Sequence, residues 1–211
     1  MMLKQYKMHS WADHFSQKST TEWIEDAKTA LLPFIKKFIP KNAKIVEAGA
    51  SFGRILKVLK DSGYTKVRGF DTDEKMIKKA KKELRMTIEK RDIRDTKYPP
   101  EYFDAWLDIG TLEHFTLDEQ NKILHEARRV LKPKGKILCF VPRLDWQSPK
   151  WLSIFLIKNL WRRLNGAPVY QWYYTIKSLE KIFSENGFKL KKWCYNPAGD
   201  KIWALAEKDK I

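Results

Sequence analysis

A chain of 211 residues with a net charge of +16, from 42 lysines and arginines against 26 acids, suits one sizeable α/β domain with a decorated end, or a core plus a small cap. No segment reaches the roughly 18 continuous apolar residues of a membrane-spanning helix: the longest apolar run lies within WLSIFLI (151–157). The first fifteen residues have no apolar signal-peptide core, so a cytoplasmic protein is expected. The two cysteines, Cys139 and Cys194, fall in apolar strand-like segments and read as reduced, buried thiols, and no Cys/His cluster has zinc spacing. Positive residues are spread over most helices (KKAKKELR, HEARRVLKPKGK, NLWRRL) rather than gathered in a tail. They read first as solvated faces that keep the chain soluble, with nucleic acid, anionic lipid or an acidic substrate as alternatives.

Residues 1–40 read as one or two helices forming a cap; TTEWIEDAKTALLPFIKKFI carries an apolar stripe, broken or kinked near Pro33. From residue 44 strand and helix patterns alternate. KIVEAG is a buried strand. GRILKVLKDSG is a helix with Ile55, Leu56, Val58 and Leu59 apolar, stopped at Gly63. KVRGFD is a second strand, and DEKMIKKAKKEL a helix with Met76, Ile77, Ala80 and Leu84 near one face. MTIEKRDI is a third strand, TKYPPEY a loop, FDAWLDIG a fourth strand. LDEQNKILHEARRVLKP is a long helix, with Asp118 as its cap or first-turn acid and KPKG at its end. GKILCFVP is nearly all apolar, as a central parallel strand should be. Residues 143–174 are too long for a plain loop. Helix SLEKIFSENGF follows, with Ser178 as cap, then strands KLKKWCYN and KIWALAEK joined by the short PAGD, which suits an antiparallel hairpin.

Repeated crossovers force a mostly parallel sheet with helices on both faces. The expected fold is α/β, a Rossmann-like three-layer sandwich with seven strands, the last antiparallel. The expected organisation is a helical cap at 1–40 and a main domain at 41–211 with a lid-like insertion at 143–174. Ligands in such sheets bind outside the carboxyl ends of the strands. Four consecutive strand ends carry a carboxylate there: Glu47, Asp71, Asp92 and Asp108. That suits a basic or hydroxylated ligand. The first turn, GASFG, lacks the spacing of a dinucleotide fingerprint, and Arg54 follows Gly53 where a phosphate-cradling loop has Lys and Ser or Thr. The acid before the turn also opposes a phosphate.

On these motifs the chain resembles the class I (Rossmann-like) S-adenosylmethionine-dependent methyltransferases over about residues 40–208. VEAGASFGR resembles the family's acidic glycine-rich turn, VRGFDTDEKMIKKAKK its second-strand acid and helix, RDI its third-strand acid, and FDAWLDIGTLEHF its fourth strand with the LEH that often follows. EARRVLKPKGKILCFVP and SLEKIFSENGFKL resemble the segments leading to strands five and six. The resemblance implies S-adenosylmethionine as cofactor, leaving as S-adenosylhomocysteine. It implies that Gly49, Ala50, Ser51 and Gly53 bring backbone to the methionine part, with Glu47 near the ammonium. Asp71, followed by Thr72, would accept from the ribose hydroxyls. Asp92 would meet the adenine amine, with Ile93 and Met76 on either side of the ring, and Asp108 and Ile109 would line the methionine channel. Asp71 as a helix cap, Asp92 as a loop acid and Met76 as core are the alternative readings. Ser51 stands where the family usually has glycine, and Glu47 where aspartate is commoner.

The chemistry implied is in-line transfer of an already activated methyl, where alignment and exclusion of water carry most of the rate. His114 is the candidate base, or a packed residue at the rim. Tyr6, Trp11 and His14 in the cap, and Trp146, Trp151 and Tyr170 in the insertion, are candidates for closing over cofactor or acceptor. Fourth-strand DIGT is not the D/N-P-P-Y/F of base-amine methylation, and neither cysteine is placed for cytosine attack. The expected acceptor is a small molecule methylated at oxygen, nitrogen or carbon. A nucleic-acid-binding methyltransferase and a cofactor-binding protein without turnover are the alternatives, and surface association with anionic membrane remains open.

Overall fold

The computed structural model describes residues 19–144 and 172–209. Tyr6, Trp11, His14, Trp146, Trp151 and Tyr170, and most of the 143–174 insertion, lie outside the described residues. The chain divides into two compact units, one ending at Asp92 and one beginning at Ile93.

In the first unit, helix α1 (Thr20–Ala30) starts at a capping box: Ser19 N–H donates to Glu22 Oε2 at 2.8 Å and Glu22 N–H to Ser19 Oγ at 3.2 Å. Helix α2 (Leu32–Phe38) follows at once, with Pro33 in its first turn. The missing N–H of Pro33 is harmless there and breaks the ladder between the two helices. Strand β1 (Ile45–Ala48) is buried throughout. Helix α3 (Arg54–Asp61) buries Ile55, Leu56, Val58 and Leu59, the stripe its spacing predicts. Strand β2 (Val67–Asp71) pairs parallel with β1. Asp73 caps helix α4 (Glu74–Lys79), accepting from the N–H groups of Lys75 and Met76. A π-turn at Ala80–Leu84 ends that helix. The third strand is shorter than MTIEKRDI suggests. Only β3 (Glu89–Lys90) pairs with β2, because Met86 and Ile88 turn into an apolar cluster with Ala50, Phe52, Leu56, Met76 and Ala80.

In the second unit, strand β4 (Phe103–Ile109) leads through a 3₁₀ turn (Leu112–His114) into helix α5 (Leu117–Val130). Thr116 is the cap, boxed with Glu119, and Asp118 is a first-turn acid. The helix ends at Val130, short of the expected KPKG, and Leu131 already begins strand β5 (Leu131–Pro142). Leu131 pairs with Phe103 before a register shift, so pairing with β4 claims residues whose local pattern reads as a helix end. Helix α6 (Ile176–Glu185) is capped by Thr175, and Ser178 is that box's third-position partner rather than the cap. Strands β6 (Phe188–Tyr195) and β7 (Lys201–Lys208) form the closing hairpin.

The seven strands run in the order β3-β2-β1-β4-β5-β7-β6. β7 pairs antiparallel with both β5 and β6, which makes it the reversed strand of an otherwise parallel Rossmann-like sheet, as expected. Ile137 to Val141 of β5 are buried on both faces. Cys139 is buried there, but Cys194 is only partly buried, contrary to expectation, because it lies on the outermost described strand; neither forms a disulfide. No helix among the described residues is long and apolar enough to cross a membrane.

Candidate functional site

Three residues of the turn after β1 take left-handed backbone: Gly49 (φ 65°), Ser51 (φ 51°) and Gly53 (φ 81°). Two of the three are glycine because only glycine enters this region without a Cβ clash; Ser51 does so against that preference. The turn is pinned to β2. Ala50 N–H donates to the Phe70 carbonyl at 2.9 Å, and Ser51 N–H donates to Asp71 Oδ2 at 2.7 Å. Gly69 makes this seat possible: a Cβ there would stand 2.4 Å from Leu56 Cδ1 and 2.8 Å from the Ala50 Cβ. Asp71 Oδ1 accepts from Asp73 N–H at 2.9 Å. The sequence therefore brings Gly49, Ala50, Ser51, Gly53 and Asp71 into one hydrogen-bonded constellation, with exposed Thr72 following.

Glu47, just before the turn, is 3% exposed and its Oε2 has no hydrogen-bond partner; the Ser51 hydroxyl is likewise buried without one. Burial pushes the Glu47 carboxyl up to about 8, against the pull of Arg54 and with Asp71 adding to the rise. Arg54 is itself lowered by burial, opposed by Glu47 and Asp26, and its guanidinium lies 5.6 Å from the Trp23 ring centroid. Asp71 is raised by burial, which outweighs the backbone N–H groups donating to it. Met76 packs in the apolar cluster at 2% exposure, the core alternative of its two readings. Asp92 is partly buried at the end of this unit.

The second unit has its own polar group. Ile93 is buried near its start. At the end of β4, Asp108 is buried, accepts from Leu112 N–H at 3.0 Å and Thr111 N–H at 3.3 Å, and is pushed up to about 6 by burial. Ile109 and Gly110 (φ 76°) follow. Glu113 is buried with Oε2 unpartnered; burial and then the Asp108 charge push it up to about 8, with Lys201 acting the other way. His114 Nε2 stands 4.0 Å from Glu113 Oε1. The chain returning from the insertion is tied here. Trp172 N–H donates to the Glu113 carbonyl at 2.8 Å, and the Tyr174 hydroxyl to Gln120 Oε1 at 2.9 Å. Glu113, Gln120 and Tyr174 escape a reading from sequence. The signal for Glu113 lay inside LEH, beside the histidine that drew attention; nothing local marks the other two. Among the described residues no group of three or more His, Cys, Asp or Glu side chains is placed to hold a metal ion.

The family model described as "Methyltransferase domain" matches residues 46–139, from β1 into β5. A curated relative, the eEF1A lysine and N-terminal methyltransferase of Bos taurus, is 29% identical over 135 residues, covering 61% of this chain and 19% of that protein. This chain thus spans about a fifth of that relative's length. An uncharacterized methyltransferase of Geobacillus sp. is 26% identical over 186 residues, covering 84% of this chain and 86% of that one. Among solved structures, the Burkholderia thailandensis 1,6-didemethyltoxoflavin-N1-methyltransferase, with bound 1,6-didemethyltoxoflavin and S-adenosylhomocysteine, superposes with a TM-score of 0.70. It is 17% identical, over 96% of this chain and 84% of that one. With the strand order, the glycine turn and the acid that ends β2, these matches make the chain similar to the class I, Rossmann-like S-adenosylmethionine-dependent methyltransferases.

Proposed function

We propose that the protein transfers a methyl group from S-adenosylmethionine to a small-molecule acceptor at oxygen, nitrogen or carbon. The observation that carries this reading is the pair of buried, unpartnered acceptor-capable atoms at the β1 turn, Glu47 Oε2 and Ser51 Oγ. Buried polar atoms are rarely left unsatisfied, and an ammonium-bearing ligand supplies the missing donors. The residues present fit the cofactor. Gly49, Ala50, Ser51 and Gly53 offer backbone to its methionine end, and Glu47 offers a carboxylate to its ammonium. Asp71, oriented by two backbone N–H groups, keeps acceptor capacity for a ribose diol. Asp92 and Ile93 serve the adenine, and Asp108 and Ile109 the methionine channel. Met76 supports the turn from the core. When bound, the sulfonium supplies an activated methyl, so the chain's work is alignment and exclusion of water. His114, beside Glu113, takes the acceptor's proton where it has one. In this reading residues 1–40 form a cap and 143–174 a lid over the acceptor, and the enzyme works in the cytoplasm.

The 1,6-didemethyltoxoflavin bound by the Burkholderia enzyme supports the acceptor class. The name of the bovine relative favours a second reading, an amine on a protein. Two measurements test the proposal. Asp71→Ala should abolish S-adenosylhomocysteine binding by calorimetry, and unchanged affinity would sink the cofactor reading. S-adenosylhomocysteine formation should appear with small acceptors rather than with proteins or RNA; turnover on macromolecules alone would replace the acceptor reading with the second one.

A further inference from the structure

The second unit satisfies its buried acids unequally. Among its described residues three are buried: Asp108, Glu113 and Glu126. Glu126 accepts from Thr96 N–H and Oγ1 and from Arg129. Asp108 accepts from the N–H groups of Thr111 and Leu112 and so shapes the turn after β4. Glu113 is buried as deeply, yet its Oε2 has no partner. The hydrogen bond that acts on its carboxyl comes from its own backbone N–H. Neighbouring donors are committed or distant. The Tyr174 hydroxyl donates to Gln120 Oε1, and His114 Nε2 stands 4.0 Å from Glu113 Oε1, beyond hydrogen-bond reach. Space lies open beside the carboxyl. Gly110 has φ 76°, and among the described residues a Cβ there would meet nothing within 4 Å beyond its chain neighbours except Glu113 Oε1, at 3.5 Å. This is the carboxyl end of β4, which carries Asp108 and Ile109.

The charge around Glu113 selects an occupant. Asp108 raises the Glu113 carboxyl, and both acids raise the Cys139 thiol on the adjacent strand. Lys201 is the cation that acts the other way. An ionised carboxylate in such a place is costly unless a cation pairs with it, and a neutral hydroxyl leaves the charge uncompensated. We propose that Glu113 binds the methyl acceptor through an amine, and that this nitrogen is the atom methylated, with Gly110 leaving the room for it. The inference rests on the methyltransferase reading above and narrows its acceptor to an amine nitrogen. The acceptor's ammonium pairs with the Glu113 carboxylate and gives one proton to His114, which returns it to water. The nitrogen lone pair then bonds the methyl carbon as the carbon–sulfur bond breaks and sulfur keeps the electron pair. An N-methyl ammonium and a neutral thioether leave.

The test uses the full chain and follows S-adenosylhomocysteine formation, with the methylated product identified by mass spectrometry. Phenethylamine and Nα-acetyl-lysine amide serve as small amines, a short lysine-containing peptide as a protein-type amine, and phenol and catechol as hydroxyl acceptors. The amines should be methylated and the phenols not; preference between small amine and peptide says which source is natural. Glu113→Gln keeps the shape of the side chain and removes its charge. It should raise KM for the amine about 10–100-fold, as expected for one lost charged hydrogen bond, with S-adenosylhomocysteine affinity by calorimetry unchanged. Because the Glu113 carboxyl sits at about 8, kcat/KM for the amine should rise about 10-fold more from pH 7 to pH 9 in the wild type than in Glu113→Gln. Glu113→Asp keeps the charge but shortens the reach; it should give an intermediate KM and serves if the glutamine variant melts early. Turnover of phenols alone, no amine turnover while S-adenosylhomocysteine binds, or an unchanged KM in folded Glu113→Gln would overturn this inference and leave the cofactor reading standing. Failure of the wild type to bind S-adenosylhomocysteine would overturn both.

Discussion

Glu47→Gln isolates the electrostatics of the β1 turn. The variant keeps the size of the side chain and removes its charge. The folded carboxyl sits at about 8 against an ordinary 4.5, so folding takes up a proton. The stabilising contribution is therefore fully present below about pH 4.5 and is lost as pH rises through about 8. Between pH 5.5 and 8.5 this one group accounts for about 3 kcal/mol of lost stability, an upper figure because water and relaxation soften it. Urea unfolding at the two pH values should show the loss shrinking by that order in Glu47→Gln. Ligand binding reports the same group from the other side. If the ammonium of S-adenosylhomocysteine meets an ionised Glu47, binding at pH 7 releases up to about 0.9 proton, and affinity rises roughly 50-fold from pH 6 to pH 8. Calorimetry in buffers of different ionisation enthalpy measures both quantities. Glu47→Gln should bind more weakly, release no proton and show little pH dependence. The same proton release and the same rise in both proteins would refute the assignment.

Asp71→Asn should weaken S-adenosylhomocysteine by about 10–100-fold, the worth of one charge-assisted hydrogen bond, as read by calorimetry. Gly69→Ala should destabilise the fold by about 1–3 kcal/mol, because its Cβ meets Leu56 and Ala50 inside contact distance; thermal unfolding measures it. Glu126 is buried and accepts from Thr96 N–H and Oγ1 and from Arg129. Burial acts to raise it, but the bonds from Arg129 and Thr96 prevail and hold it below the usual range. Its stabilisation is present above the unfolded value and disappears as pH falls through the folded one, so Glu126→Gln should flatten the acid limb of the stability curve. His114→Asn should slow methyl transfer by about 10²–10⁴-fold with cofactor affinity unchanged if it is the base; an unchanged rate would return it to a packed residue.

The alternation of strands and helices was legible because its signals are local. Apolar spacing along Ile55–Leu59, glycines at Gly49 and Gly53, and one acid closing each strand need only a few neighbouring residues to be read. The constellation of Glu47, Ser51 and Asp71 followed from that order, since parallel strands bring their carboxyl ends to one edge. Other features had no local signal. Leu131 joined a strand because Phe103 offered it a partner. Met86 and Ile88 left the third strand for an apolar cluster. Thr175, not Ser178, caps α6 because both hydroxyls suit a cap in isolation and only the backbone path chooses between them.

The sequence by itself determined the order of strands and helices, where the acids stand along the strands, and that the β1 turn lacks the fingerprint of a pyrophosphate-binding loop. Periodicity and turn chemistry act over distances of a few residues. Only the tertiary structure decided which strand lies outermost, that Glu47 and Glu113 are buried with an unpartnered oxygen, and that Trp193 and Tyr195 face solvent. Burial depends on the strand that packs alongside, and the insertion of β7 between β5 and β6 joins residues far apart in the chain.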